Sequence, residues 1–360
     1  MPVTGLFDAV FARGRAADAV SGPAWLAAML RVEAALAEAA ADTGYVGRDA
    51  ADAVAAAADP DRFDLAAVAA SAASIGNPVA GVVERLRELV PERHHEAVHF
   101  SATSQDVMDT AMMLVARDAV AAIMDDLRAC EGAVLDRIVE EEWASEPRLW
   151  ARTLLQHAEP IDLMDLNGRW TAGIAQARRR LEELEFPGVL AGPVGRNWSK
   201  RVIPEKDLRA HFLRRLDIDP SQYLGHTARG PVVRIGAAAA EAAGACGKVA
   251  VDVILLSQNE IGEVSEGRPG GSTSMPHKRN PVAATCARAC AARTPGLVAT
   301  LYAAMPQELQ RSPGLWHTEW ETLSDLLRLT GSAAAWLREC LEGLEFHPEA
   351  MDRNLREAEG

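Results

Sequence analysis

PVVRIGAAAAEAAGACGKVAVDVILLSQNEIGEVS, Pro231 to Ser265, is the stretch that decides the fold. It opens on a proline, whose fixed φ suits the first turn of a helix and whose missing N–H would be unpaired there in any case. The first evident breaker is Gly267-Arg268-Pro269-Gly270-Gly271, so the pattern predicts a single helix over 231–265, roughly 50 Å long at the usual rise per residue. Ala237–Ala240, Ala242–Ala245 and most of Val249–Leu256 are apolar. Such a helix belongs inside a bundle, and its small residues let neighbouring helices approach closely.

Outward from this run the same periodicity recurs. Residues 23–41 place Trp25, Met29, Val32 and Leu36 on one helical face. Gly44, Asp59-Pro60 and Gly76-Asn77-Pro78 break the shorter helices beyond it. Asp109–Glu142 is long and free of proline. Further runs cover roughly 160–186, about 282–303 and 317–342, and Pro187–Gly195 (PGVLAGPVG) is a loop. The expected architecture is all-α. A small helical N-terminal domain (1–110) precedes a central long-helix bundle (111–345) that carries the loop 268–281. Residues 346–360 are too few for another domain. Long alanine-rich helices of this kind make a bundle wider than one subunit needs, and oligomerisation buries them.

Composition narrows the partners. The 360 residues carry a formal charge of −14 with a sequence pI near 5.2, which argues against nucleic acid or an anionic membrane surface. An anionic substrate would need local cations in a cleft. Five cysteines form no CxxC pair and no histidine cluster at ligand spacing, so no metal is expected. Cys286 and Cys290, four residues apart, read as small buried residues on one helix face. The odd count fits a reducing cytoplasm. MPVTGLFDAVFARG lacks a basic region followed by an apolar run, and no apolar stretch reaches membrane-spanning length.

Four polar clusters stand far apart in the chain. In His99-Phe100-Ser101-Ala102-Thr103-Ser104-Gln105-Asp106, the hydroxyls precede a helix expected to start at Val107. They read either as caps or as an anion site at its positive end. Arg152-Thr153-Leu154-Leu155-Gln156-His157 reads as a helix start before Pro160. It is either structural or a carboxylate clamp with a proton donor. Gly270-Gly271-Ser272-Thr273-Ser274 leads into Met275-Pro276-His277-Lys278-Arg279-Asn280-Pro281. It has neither Walker spacing nor a preceding strand, so no nucleotide cofactor is expected. The fourth cluster is Gln307-Glu308-Leu309-Gln310-Arg311-Ser312 followed by Trp316-His317-Thr318-Glu319-Trp320. Its tryptophans read as core packing.

The third cluster resembles the signature G-S-S-x-M-P-x-K-x-N-P of the fumarase/aspartase superfamily, the first its H-x-G-x-T-S-x-D region and the second its Arg-Thr segment. TSQDVMDT, ARTLLQHA, GGSTSMPHKRNPV and AAMPQELQRSPGLWHTEW most resemble the superfamily's 3-carboxy-cis,cis-muconate cycloisomerase branch, and LFDAVF, VEAALAEA, RFDLAA and GNPV extend the likeness from about Leu6 to Leu355. The resemblance implies a homotetramer whose bundles form one core and whose active sites draw on three chains. It also implies a further C-terminal domain, of which 346–360 would be the remnant. The implied chemistry is anti addition or elimination beside a carboxylate through an aci-carboxylate, on a small polycarboxylate substrate.

Carried over position by position, Ser272 is the base of the elimination direction, and Lys278 and Asn280 hold one carboxylate. Thr103, Ser104 and Gln105 hold another. Arg152, Thr153, Gln156 and Arg311 add donors, and Asn77, His99 and His157 line the site, with His157 a second proton-handling candidate. Thr273 replaces a serine and Ser101 a glycine. Leu154 stands where adenylosuccinate lyases carry a catalytic His and the cycloisomerases usually a Trp. Asp162-Leu163-Met164 replaces Thr-Phe-Gly, Gly225 and Gly230 replace Trp and Asp, and Leu309-Gln310 replaces His-Glu. Alternatives to cycloisomerisation are elimination of an amine or nitrite from a substituted succinate to give fumarate, and a non-catalytic paralogue.

Overall fold

The computed structural model describes residues 5–140, 146–195, 207–222 and 224–359. Short helices come first: α1 (Asp8–Phe11), α2 (Arg15–Ala19), α3 (Gly22–Asp42), α4 (Arg48–Ala57), α5 (Leu65–Ile75) and α6 (Val79–Leu89). Their ends obey local chemistry. The Ser21 hydroxyl accepts the Ala24 N–H at the start of α3. Asp64 accepts the Ala66 and Ala67 N–H groups at the start of α5, and Gly76, at φ 81°, closes it.

The bundle is built on α7 (Ser104–Glu140), α8 (Leu163–Glu182), α10 (Gly230–Leu256), α11 (Val282–Ala303) and α12 (Leu315–Glu342), with α9 (Leu208–Arg215) lying against the N-terminal helices. α7 begins three residues before the expected Val107. The last two residues of the expected run, 141 and 142, lie outside the described residues. α11 and α12 fall within two residues of their expected bounds. All-α therefore holds as the fold class, with two minor two-stranded sheets.

Two expectations need correction. α10 stops at Leu256, because Ser257-Gln258 turns the chain and Gly262, at φ 63°, reverses it. After this reversal the chain enters β3 (Val264–Glu266), paired antiparallel with β4 (Leu344–Phe346). The Arg152 cluster is no helix start either. It lies in an antiparallel hairpin of β1 (Arg148–Thr153) and β2 (Gln156–Asp162), joined by the two-residue turn Leu154-Leu155.

Two cores result. Leu30, Val54, Leu86, Val107 and Phe212 belong to the N-terminal one, and Ile123, Trp170, Val249, Leu326 and Leu337 to the bundle. α7 serves both, with Val107, Met108, Ala111, Leu114 and Val115 in the first and Met112, Met113 and the buried apolar residues from Ala116 to Val134 in the second. The chain ends in α13 (Pro348–Glu359), which lies on β1 and sends Met351 into the bundle core. Four of the five thiols are buried; Cys286 is partly exposed while Cys290 on the same helix is not.

Close helix packing rests on glycines at two points. A Cβ on Gly236 would stand 2.4 Å from Leu301 Cδ1, and one on Gly331 would stand 2.3 Å from Ala16 Cβ. The Gly331→Ala variant is expected to lower stability by about 1–3 kcal/mol through overpacking, although alanine is the better helix former. A urea melt in which the variant matches or exceeds the parent contradicts this packing.

Candidate active site

At one end of the bundle Thr103 stands just before α7. Its N–H donates to Asp106 Oδ2 at 3.0 Å, half of a capping box. Its hydroxyl is thereby left to accept from Arg311 Nη2 at 2.7 Å. Arg311 Nε donates to Gln105 Oε1 at 3.2 Å. Gln105 is itself buried, and its amide donates to the His226 carbonyl at 2.8 Å and to Asp109 Oδ2 at 3.2 Å. Gln105 is thus spent on Arg311 and its own support. Arg311, exposed at the surface, is the group that can meet an anion. His99 stands nearby, its ring Nδ1 2.7 Å from the buried Glu33.

Beneath these residues lies a buried network that sequence reasoning missed. Arg229 places Nη1 2.7 Å from Asp109 Oδ2 and Nε 3.0 Å from Glu319 Oε1, all three side chains being buried. Burial opposes the Arg229 charge, but Asp109 and Glu319 outweigh it and hold the guanidinium protonated. Burial pushes the pKa of Glu319 up, against the pull of Arg229. Trp316 Nε1 donates to Asp109 Oδ1 at 2.9 Å and Gln307 Nε2 to Glu319 Oε1 at 2.9 Å. The starts of α7, α10 and α12 are tied together here. Arg229, just ahead of the long apolar run, was the one available signal. Asp106 forms a second buried node, accepting from Ala191, Gly192 and Thr103 N–H and facing His226 Nε2 at 2.8 Å.

The other clusters sit at the far end. Arg152 forms a two-pronged pair with Glu263 at 2.9 and 2.8 Å, so in this chain it anchors the hairpin. The Asn354 amide of α13 donates to the same carboxylate at 2.8 Å, and the Asn354 carbonyl accepts from Trp150 Nε1 at 3.1 Å. Thr153, Gln156 and His157 are exposed along the hairpin, His157 stacked on Trp150. At the tip, Leu154 and Leu155 have φ of 52° and 61° and exposures of 96% and 69%.

The 268–281 loop is closed by reciprocal bonds between Gly270 and Asn280, with the Asn280 amide donating to Gly271 O at 3.1 Å. Ser272 Oγ accepts from the Met275 and Ser274 N–H groups at 3.2 and 3.4 Å. Lys278 is exposed. Beneath the loop, Glu266 accepts the Ala283 and Ala284 N–H groups and caps α11.

The structure therefore brings Thr103, Gln105 and Arg311 together, and in the loop Ser272 and Asn280. It does not join the two groups. The loop precedes α11 and Arg311 comes after it, and a helix of 22 residues is about 33 Å long. Ser104 lies with the first group beside His99. Asn77 is buried and caps Val79 at 3.2 Å. Among the described residues no group of His, Cys, Asp and Glu is arranged to hold a metal.

Long helices carry hydroxyl, amide and guanidinium donors at both ends, with a serine loop closed on its own amides, an arrangement suited to an anionic ligand. A family model described as Lyase matches residues 13–296. Nitrosuccinate lyase of Streptomyces davaonensis is 39% identical over 98% of this chain and 77% of its own length. The 3-carboxy-cis,cis-muconate cycloisomerase of Pseudomonas aeruginosa is 40% identical over 99% of this chain and 78% of its own. The crystal structure of 3-carboxy-cis,cis-muconate lactonizing enzyme from Pseudomonas putida superposes with a TM-score of 0.87 at 36% identity, covering 97% of this chain and 79% of that one. The chain belongs to the fumarase/aspartase family of lyases.

Arg229→Met removes the cation that two buried carboxylates face. The expected loss is about 3–5 kcal/mol. Glu319 has a folded pKa raised above its unfolded value, so its contribution is fullest at low pH and is lost as pH rises. Without Arg229 this dependence steepens, and the deficit should shrink between pH 8 and pH 5. Urea unfolding at both pH values checks the sign; a deficit that grows on acidification refutes the network as described.

Proposed function

We propose that the chain is a cycloisomerase interconverting 3-carboxy-cis,cis-muconate and 4-carboxymuconolactone. One observation carries the reading: the likeness to 3-carboxy-cis,cis-muconate cycloisomerases spans nearly the whole chain, and the hairpin turn carries Leu154-Leu155 where an acid would serve an amine leaving group. Leu154 occupies the place of a catalytic His in the resembling adenylosuccinate lyases, and it has no proton to give. An amine leaving group needs that proton. A carboxylate does not, because it departs as a stable anion.

In the elimination direction Ser272 takes the proton α to a carboxylate, and the C–H electron pair passes into the aci-carboxylate. The lactone C–O bond then breaks and its electrons leave with the ring oxygen as a carboxylate. Cyclisation runs the steps in reverse, the serine hydroxyl returning the proton. The two amide donors on Ser272 Oγ favour its alkoxide. Lys278 and Asn280 hold the carboxylate that becomes the aci form, where extra charge must be stabilised. Thr103, Ser104 and Arg311 hold another, and Arg152, Thr153, Gln156, His157 and Asn77 support or line the site.

The separation of Ser272 from Arg311 supports sites shared between copies, as in the expected homotetramer. The exposed tip leucines, and Leu309 at 84% exposure with φ 48°, are apolar surface that a neighbouring copy would cover. Among the described residues no helix is long and apolar enough to cross a membrane, in keeping with the proposed cytoplasmic location. The observation on Leu154 equally favours nitrite as leaving group, and the Streptomyces davaonensis relative makes nitrosuccinate the second substrate to test.

Purified protein should bleach the ultraviolet absorbance of 3-carboxymuconate, and Ser272→Ala should lower kcat by about 10²–10⁴-fold. Release of fumarate from nitrosuccinate, with muconate untouched, decides for the second reading. Ser272→Ala and Arg311→Ala, each nearly inactive, should regain activity when unfolded and refolded together. If the mixture stays inactive while wild type survives the same treatment, the shared site is wrong.

A further inference from the structure

Glu33, in α3, has no solvent exposure and both its oxygens serve one residue. One lies 2.7 Å from His99 Nδ1 and the other accepts the His99 backbone N–H at 3.0 Å. An ionised carboxylate only accepts, so Nδ1 carries a proton and Nε2 is the ring nitrogen left over. This grip holds His99 at φ 57°, a left-handed conformation that costs a non-glycine residue energy. His99 forms part of the wall of a cavity of about 670 Å³ together with Ser104, His95 and Arg87. A buried carboxylate is costly unless paired, and here each oxygen faces one donor, whereas an amide in its place would offer one oxygen and turn an N–H toward the other donor. What a carboxylate adds is control of the ring's tautomer and charge.

We propose that Glu33 is a positioning residue of the site, fixing His99 so that Nε2–H donates to a carboxylate oxygen of the substrate in this cavity. The ligand class rests on the proposed function; the pairing of Glu33 with His99 does not. Burial lowers the pKa of His99, but the hydrogen bond and charge of Glu33, with Asp106, outweigh burial and Arg87 and leave it raised. Glu84 and Glu88 on α6 also favour the imidazolium, Glu88 being paired with Arg85, and a protonated His95 opposes it. As pH rises through the His99 pKa, the donor on Nε2 is lost and carboxylate binding weakens. Without Glu33 that loss comes at lower pH.

The test uses the full chain with tricarballylate as probe and the His99 imidazole followed by NMR. In wild type, His99 should titrate above the ordinary histidine range, and Glu33→Gln should bring it down by about one pH unit. Calorimetry should show wild-type binding weakening only toward alkaline pH. In Glu33→Gln, affinity should fall about tenfold between pH 6 and 8, a loss of 1.4 kcal/mol. In His99→Gln that pH dependence should vanish. If Glu33→Gln does not fold, the wild-type titration and His99→Gln decide alone. An ordinary His99 titration in wild type, or unchanged pH dependence of binding in His99→Gln, overturns the proposal. Wild type that ignores millimolar tricarballylate while His99 titrates high sinks the polycarboxylate reading and the ligand assigned to Nε2, yet leaves the Glu33 pairing standing.

Discussion

A guanidinium cut off from water, that of Arg229, lies between two carboxylates equally cut off, and the geometry of one half of the site depends on it. Removing such charges from water costs several kcal/mol each and is offset only when every lone pair and proton finds a partner. Here Trp316, Gln307, Gln105 and the Gly225 carbonyl complete the set. Because the partners come from the starts of α7, α10 and α12, the network sets the relative positions of three helices. Gln105 hangs from it, and Arg311 hangs from Gln105. A packing arrangement thus becomes the placement of one surface cation.

The two arginines of the candidate site consequently have different standing. Arg152 faces Glu263 in a two-pronged pair, so its charge is neutralised within the chain. Arg311 is held by the hydroxyl of Thr103 and the amide oxygen of Gln105, which position the guanidinium without cancelling it. In a chain of net charge −14, holding a cation with neutral groups keeps its field available to an anion. Lys278 at the other end is exposed and in no ion pair among the described residues. Each half of the site therefore presents positive charge without an ion-pair partner among the described residues, Arg279 adding to Lys278 in the loop and Arg87 to Arg311 at the other end.

Helices were legible because their signals are local. Pro231 opens α10, Gly76 closes α5, and the bounds of α11 and α12 come from apolar period alone. The hairpin was not, because its turn is Leu154-Leu155, without the glycine or asparagine that usually marks such a reversal. The apolar pattern overruns the end of α10 because a lone glycine, Gly262, is a weaker breaking signal than the run Gly267-Arg268-Pro269-Gly270-Gly271. The buried acids escaped for another reason. Glu33, Glu263 and Glu319 find their partners 66, 111 and 90 residues away, and no local pattern distinguishes a carboxylate so paired from a solvated one. The serine loop could be read residue by residue, since its contacts are internal.

Backbone strain marks the same places. Of the six non-glycine residues with positive φ among those described, His99, Ser101, Leu154, Leu155 and Leu309 lie in the candidate clusters, and Asp217 alone lies elsewhere. Each such residue costs of order 1–3 kcal/mol and persists only where its surroundings over-determine it. For His99 the determinant is visible, since Glu33 grips both its ring and its backbone. For Leu154 and Leu155 the determinant is the two-residue hairpin turn, which demands positive φ at both positions, yet their side chains, like that of Leu309, stand in solvent. Three leucines, strained and uncovered at once, are a poor solution for an isolated chain. They become reasonable if the apolar surface they present is buried against another copy, the same arrangement that the proposed sharing of the site between copies calls for.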